Sequence, residues 1–255
     1  MYKSIYDTLI IGKKVIYLPS CHSTNDIAAE LVRSGSGMEG VVVITDEQTK
    51  GRGQRGTTWV SEPGMNLTMS IVLTPFFIPV SDQFLISQTI ALGITAYLKN
   101  YSDKVTIKWP NDIYLDNKKI CGTLIENSIQ GSRIASSIAG IGLNINQKNF
   151  ESSRATSLSK SMAREFVMAG EFSALIHHLD AWYLKLKSGT HREEIRLEYL
   201  NQLLGYNQLC LFRYQNKIVS GMVTGITDYG KLCVRFDDQT DSKEIGLKEI
   251  EWIWD

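Results

Sequence analysis

KWPNDIYLDNKKICG, residues 108–122, is the stretch on which the reading of the fold turns. VTIKW (105–109) runs into it and KICGTLIEN (119–127) runs out of it, and both carry the β-branched and apolar residues of short strands. Asp116 and Asn117 tolerate left-handed backbone, so the expectation is two strands around a tight turn there. Pro110 has no N–H to give a ladder and stops the first strand. Lys108 then stands at a strand end, Asn111 and Asp112 follow on the turn, and Lys119 begins the return strand, close to Lys108 if the pair is a hairpin. Two lysines and a carboxylate around a turn can stabilise the charge of a phosphoryl group under attack, with Asp112 helping to hold a magnesium ion. The alternative is an exposed hairpin with ordinary solvated charges, which spacing alone favours.

Working outward, the flanking segments alternate between strand and helix patterns. Towards the N-terminus, residues 83–99 read as a core helix and Leu67, Met69, Ile71 and Leu73 alternate as in a strand. VVVIT (41–45) reads as a buried strand. Ser23 opens a helix signal, its hydroxyl placed to cap a backbone N–H and Asp26 placed at the positive end of the helix. Towards the C-terminus, 134–146 is a further strand, and helical spacing returns at 165–187 and 191–203. After Gly205 the pattern changes to short β runs. These suggest two units, 1–204 and 205–255, the second a small β-barrel.

Two further segments carry candidate chemistry. In TDEQTKGRGQRGTTW (45–59), Gly51, Gly53 and Gly56 let backbone N–H groups approach an anion, and Arg52 and Arg55 add forked cationic donors. A phosphate- or carboxylate-binding loop and a solvated surface loop both fit. The loop matches neither the Walker A spacing nor G-x-G-x-x-G. Trp59 beside it can stack on a base or pack in the core. In GIGLNIN (140–146) the glycines allow close backbone approach, and Asn144 and Asn146 place amides on one face of a strand. A β-bulge near a sheet end explains the same residues.

Composition narrows the classes. The chain has 255 residues, with 27 Lys plus Arg against 27 Asp plus Glu, and so lacks the basic footprint of a nucleic-acid binder. Its four cysteines, Cys21, Cys121, Cys210 and Cys233, form no C-x-x-C pair and lie at no zinc-ligand spacing from a histidine. His22, His177, His178 and His191 support no catalytic triad. The beginning carries no signal-peptide pattern and no stretch approaches about 18 apolar residues, so a reduced, cytoplasmic protein with no membrane partner is expected.

Five pieces taken together resemble the biotin protein ligase family: HSTND (22–26), EQTKGRGQRGTTW (47–59), KWPNDIYL (108–115), KKICGTLIE (118–126) and GIGLNIN (140–146), in the family's order. The resemblance implies an α+β fold, a mixed β-sheet with helices on one face like the class II synthetase core, followed by a small SH3-like C-terminal β-barrel. With HSTND beginning at residue 22, it implies the short form without an N-terminal DNA-binding domain. It implies activation of biotin with ATP to biotinyl-AMP and transfer to a lysine of a biotin carboxyl carrier protein domain, with Mg2+ accompanying ATP. Family members also pair through their sheets, so a homodimer is open.

Residue by residue, the resemblance assigns Ser23, Thr24 and Asn25 to biotin's ring end, and Gln48, Gly51, Arg52, Gly53, Gln54, Lys119 and Gly122 to the biotin site. Arg55, Trp59, Asn111, Asp112 and Asn144 fall on the ATP or adenylate side, and Asp112 near the metal. Lys119, Arg52 and Lys108 are the expected catalytic cations. The family's loop more often reads GRGRRG, and Gln54 here replaces an arginine that helps retain the intermediate. A lipoate or octanoate ligase shares the core fold, and a non-catalytic biotin-binding module is the alternative from another class.

Overall fold

A computed structural model describes residues 2–253, with the backbone alone at Arg55. Seven strands form one sheet: β1 (Val15–Cys21), β2 (Val42–Gln48), β3 (Asn66–Leu73), β4 (Val105–Lys108), β5 (Asp112–Leu115), β6 (Lys118–Gln130) and β7 (Arg133–Asn144). Their order across the sheet is β1-β2-β3-β7-β6-β5-β4. β1 and β2 are parallel, joined through helix α1 (Thr24–Arg33), because a parallel pair needs a crossover. Every other pairing is antiparallel, which makes the sheet mixed.

The pleat sends alternate residues to opposite faces, and each face has its own cover. Helices α2 (Phe84–Leu98), α4 (Met168–Ser188) and α5 (Arg192–Asn201) lie on one face, over Val42, Ile44, Leu67, Met69, Ile71 and Leu73, and the short α3 (Leu158–Met162) precedes α4 in the chain. α2 and α4 pack so closely that a Cβ on Gly93 would fall 2.8 Å from Leu179 Cδ2. α1 lies on the opposite face, with Ala28 over Val41, Val43, Val72 and Ile138. It covers only part of that face, and the uncovered part holds the site described below.

The central hairpin expectation needs correction. VTIKW and KICGTLIEN do not pair with each other; the short strand β5 lies between them. The Asp116–Asn117 turn, with φ of 50° and 61°, joins β5 to β6. Two consecutive left-handed residues suit a two-residue hairpin link. Asp112 is accordingly the first residue of a strand, paired with Lys108 on one side and Gly122 on the other. Ser23 does stand at the start of α1 with extended backbone, but its side chain makes no capping hydrogen bond. Asn146 lies past the end of β7, where its amide donates to Phe166 O at 2.8 Å. No bulge occurs at 140–142; the irregularities of β6 fall opposite Ile113/Tyr114 and at Ser128/Ile129.

Strands β8 (Leu209–Tyr214), β9 (Lys217–Ile226), β10 (Leu232–Phe236), β11 (Lys243–Ile245) and β12 (Ile250–Trp252) form a second, antiparallel sheet in the order β11-β10-β9-β8-β12. It curls around Phe212, Val223, Val234, Ile245 and Trp252. Trp109 of the KWPND segment donates its indole N–H to Gly230 O at 2.8 Å, tying the second sheet to the first. The turn before β12 holds Lys248 at a φ of 69°. Among the described residues no helix is long and apolar enough to cross a membrane.

One buried carboxylate fixes the N-terminal segment. Asp180 of α4, 4% exposed, accepts from the backbone N–H groups of Leu9, Ile10 and Ile11 at 2.8, 2.9 and 2.7 Å. Asp180→Ala leaves three donors without their acceptor. The expected loss is about 3 kcal/mol of stability, read as a lowered urea midpoint with an unchanged slope; a midpoint equal to wild type would show that the anchor contributes nothing.

Candidate active site

The site is built on one row of the large sheet. Thr45 pairs with Thr68, Thr68 with Gly142, Gly142 with Gly122, Gly122 with Asp112, and Asp112 with Lys108. Directly paired residues point to the same face. The row therefore presents small residues in its middle and charged residues at one end, all on the α1 face. The neighbouring row runs Val43, Ser70, Gly140, Leu124.

The glycines matter for close approach. A Cβ on Gly142 would lie 2.4 Å from Trp59 Cε2, and one on Gly140 would lie 2.3 Å from Asn25 Oδ1. Trp59 and Asn25 settle directly on the sheet because those two positions have no side chain.

A bulge places Lys119. Gly122 faces Asp112 and Cys121 faces Ile113, but Tyr114 then faces Lys119, so Ile120 is one extra residue on β6. Regular alternation would send Lys119 to the helix-covered face. The extra residue turns it onto the face of Asp112, while Ile120 and Cys121 are both buried in the core beneath. Lys119 Nζ reaches Asp112 Oδ1 at 2.7 Å and stands 5.7 Å from the centroid of the Trp59 ring. Its backbone is clamped from the other side: Lys119 N–H donates to Arg154 O at 2.7 Å, and Thr156 N–H donates to Lys119 O at 2.9 Å.

Above the row lies a cavity of about 270 Å³. Ser23, Thr24, Asn25, Gln48, Arg52, Gly53, Gln54, Trp59, Asn111, Asp112, Lys119 and Gly122, all expected from the sequence, line it. Thr24 and Gln48 are locked together, with Gln48 Oε1 accepting from Thr24 N–H at 2.7 Å and from its hydroxyl at 3.1 Å. Ser70 Oγ lies 2.7 Å from Thr24 Oγ1 and 2.5 Å from Asn25 Oδ1. Asn25 Nδ2 donates to Glu126 at 2.7 Å and to Leu124 O at 3.3 Å. Asn111 Nδ2 donates to Thr123 O at 2.6 Å.

The Gly/Arg loop closes one side. Arg52 and Thr58 form an isolated antiparallel bridge around a short 3-10 turn, Gln54–Gly56. Gly53 N–H is spent on Thr57 O at 2.7 Å, and Trp59 N–H on Gly51 O at 3.1 Å. Gly51 is required here, since a Cβ on it would lie 2.3 Å from Trp59 O. Arg52 is held by two carboxylates, Asp26 of α1 and Glu126 of β6, the latter at 3.2 Å. The loop is thus latched by charge to the helix and sheet on either side.

Three expected residues, Gly51, Lys108 and Asn144, lie outside the cavity lining. Lys108 ends the row but directs its ammonium over the rings of Tyr114 and Trp252, at 5.5 and 5.6 Å, outside the cavity lining. Burial lowers its pKa, the nearby Asp112 opposing the shift. Asn144 is buried and donates to Thr156 O at 3.0 Å, bracing the segment that clamps Lys119. The side chain of Arg55, expected on the nucleotide side, lies outside the described residues. The sequence reading also missed lining residues. Thr68 looked like an ordinary strand position, and only the pairing register puts it on the cavity side. Lys248, from the second sheet's turn, also lines the cavity and had no local signal.

Residues 17–144 match the model of the biotin/lipoate A/B protein ligase family, and residues 207–253 match the biotin protein ligase C-terminal domain. This chain belongs to the biotin/lipoate A/B protein ligase family. The bifunctional ligase/repressor BirA of Bacillus spizizenii is 32% identical over 254 residues, covering 96% of this chain and 75% of that relative. The Escherichia coli protein of that name is 32% identical over 145 residues, covering 56% of this chain and 44% of its own length. Among solved structures, the biotin protein ligase from Aquifex aeolicus in complex with biotin and ATP superposes with a TM-score of 0.77 at 23% identity, covering 94% of this chain and 99% of that one. The sheet of seven strands with a separate antiparallel sheet is thus the fold of the biotin ligases.

The latch gives a direct expectation. Glu126→Gln removes one of the two carboxylate charges that hold Arg52 while keeping an amide oxygen that can accept from Asn25. Trypsin should cut the ligase after Lys50 or Arg52 several times faster than wild type, scored by mass spectrometry of early fragments. An unchanged cleavage rate would mean that Glu126 does not restrain the loop.

Proposed function

We propose that this ligase joins biotin to ATP in the cavity above the glycine row and then hands the biotinyl group to a lysine of a biotin carboxyl carrier protein domain. The observation that carries this reading is Lys119, turned by the bulge onto the cavity face beside Asp112, at the end of a row of glycines capped by Trp59. A strip of sheet without side chains, on which the Trp59 indole packs directly, offers a compact apolar wall to biotin's bent, cis-fused bicycle. A cation at the end of that strip suits the carboxylate of biotin's tail.

The chemical problem is repulsion. The biotin carboxylate must attack the α-phosphorus of ATP, and two unit charges of like sign about 4 Å apart repel by about 4 kcal/mol at an effective dielectric near 20. In the unliganded chain Lys119 and Arg52 are already partly desolvated against Asp112, Asp26 and Glu126. Exchange of these carboxylates for substrate anions brings the cations to the reacting groups with little further reorganisation. Attack forms a bond between a carboxylate oxygen and the α-phosphorus, breaks the bond from that phosphorus to the α,β-bridging oxygen, and releases pyrophosphate. The carrier's lysine, as the neutral amine, then attacks the carbonyl carbon and AMP departs. No nucleophile of the ligase is required in either step.

Between the steps the mixed anhydride needs shielding from water. The loop 51–56, hinged on Gly51 and latched by Arg52, is the element that covers the cavity mouth. Gln54 lines the cavity without a positive charge, so retention of the intermediate falls to Arg52 and Lys119. Lys108 and Asn144 take positioning roles: Lys108 sits at the row's end against Trp252, and Asn144 braces the clamp on Lys119.

The residues present fit a metal ion only as cargo of the nucleotide. Among the described residues no three metal-binding side chains cluster, and Asp112 is the carboxylate in the cavity lining. Asp112, paired with Lys119 through Oδ1, is the residue that would hold a Mg2+ arriving on the phosphates, the usual mode for this ion. That ion supplies charge neutralisation of the triphosphate.

Incubation with biotin, ATP and Mg2+ and a biotin carboxyl carrier domain should add one biotinyl group to the carrier, measured by intact mass. A carrier of unchanged mass would reject the reading. Lys119→Ala should cut biotinyl-AMP formation by more than tenfold, followed as pyrophosphate release; near-normal release would remove Lys119 from its assigned role.

A further inference from the structure

We infer that Thr68 is a ring-reading residue of the biotin site, its hydroxyl reserved for a polar atom of the ligand. The inference rests on the function proposed above. Thr68 is 3% exposed and lines the cavity. Its Oγ1 is buried and has no hydrogen-bond partner among the described residues. A buried hydroxyl without a partner is destabilising and uncommon, and such groups accumulate where a ligand completes them.

The surrounding hydroxyls and amides make the contrast. Thr45, the neighbour of Thr68 on β2, spends its hydroxyl on Glu47 O at 2.9 Å. Thr24 donates to Gln48, and Ser70 is engaged with Thr24 and Asn25. Asn25 uses its carbonyl on Ser70 and its amide on Leu124 and Glu126. These residues build the wall and hold one another in place. A second unpartnered buried donor, Trp59 Nε1, lies above Gly142, the residue paired with Thr68. Two uncommitted polar groups therefore meet at the same point of the row.

Position along the row selects the part of the ligand. Thr68 on β3 and Asp112 on β5 are three strand spacings apart, about 14 Å at the usual interval. With the tail carboxylate at Lys119 beside Asp112, the far end of the row receives the ring system. Biotin's ring carries a ureido group, which offers both an acceptor and donors to a hydroxyl. A site built to hydrogen-bond such a group discriminates against acyl chains without one, because the hydroxyl stays unpaired in their company.

The test separates this role from a structural one by sign. Thr68→Val keeps the shape and deletes the hydroxyl; Thr68→Ser keeps the hydroxyl. Calorimetric titration of each chain with biotin alone is paired with a thermal melt of the unliganded protein. Thr68→Val should weaken biotin binding about tenfold, the worth of one hydrogen bond, without lowering Tm. In turnover its KM for biotin should rise by the same factor while kcat and the KM for ATP hold, and Thr68→Ser should bind as wild type. Equal binding by Thr68→Val, or a loss of binding matched by a fall in Tm, overturns the role of Thr68. Failure of the wild-type chain to bind biotin overturns instead the function on which the inference rests.

Discussion

A pleated sheet offers each strand residue one of two faces, and the ligase gives the two faces different work. One is sealed by three helices and supplies the stability of a continuous apolar core. The other is covered by α1 over only part of its area, and what remains is floor. Any residue that is to act in the cavity must fall on the right parity of its strand. For Thr68, Gly142, Gly122 and Asp112 regular pairing achieves this. For Lys119 it does not, and a single inserted residue, Ile120, corrects the parity. The inserted residue itself disappears into the helix-side core, so the bulge is held by burial as well as by the two backbone hydrogen bonds to 154–156.

The charges of the cavity follow a common scheme. Lys119 rests on Asp112 and Arg52 on Asp26 and Glu126. Pairs that are a third or more exposed add little to stability, because water screens them and the side chains lose freedom. Their value lies in placement: each cation is held within the cavity by a partner that an incoming anion can replace. Lys108, by contrast, is held against aromatic rings, a contact that no anion exchanges.

Much of this was readable in the sequence, and the failures have physical causes. The helices and long strands declared themselves by period, and the motif segments located twelve of the cavity's lining residues, because a few short runs of the chain supply most of that lining. β5 was missed because four residues carry too little periodicity to separate from a turn. β1 was missed because Pro19 interrupts it, which a strand on the sheet edge tolerates. The bulge at Ile120 has no sequence signature at all, and without it Lys119 falls on the wrong face. GIGLN read as a bulge because glycine has several uses, and only the approach of Trp59 and Asn25 shows which one applies. Thr68 and Lys248 became site residues through register and through the docking of the second sheet, both long-range facts.

The central claim is that one sheet row, from Thr68 through the two glycines to Asp112 and Lys119, is the bed of the acyl-adenylate. A crystal structure of the ligase grown with biotin and a non-hydrolysable ATP analogue tests it most directly. The account predicts the biotin rings against Thr68 and the exposed side of the Trp59 indole, the carboxylate within hydrogen-bond distance of Lys119 Nζ, and the loop 51–56 folded over both. Biotin bound with its carboxylate remote from Lys119, or lodged away from the glycine row, would contradict it.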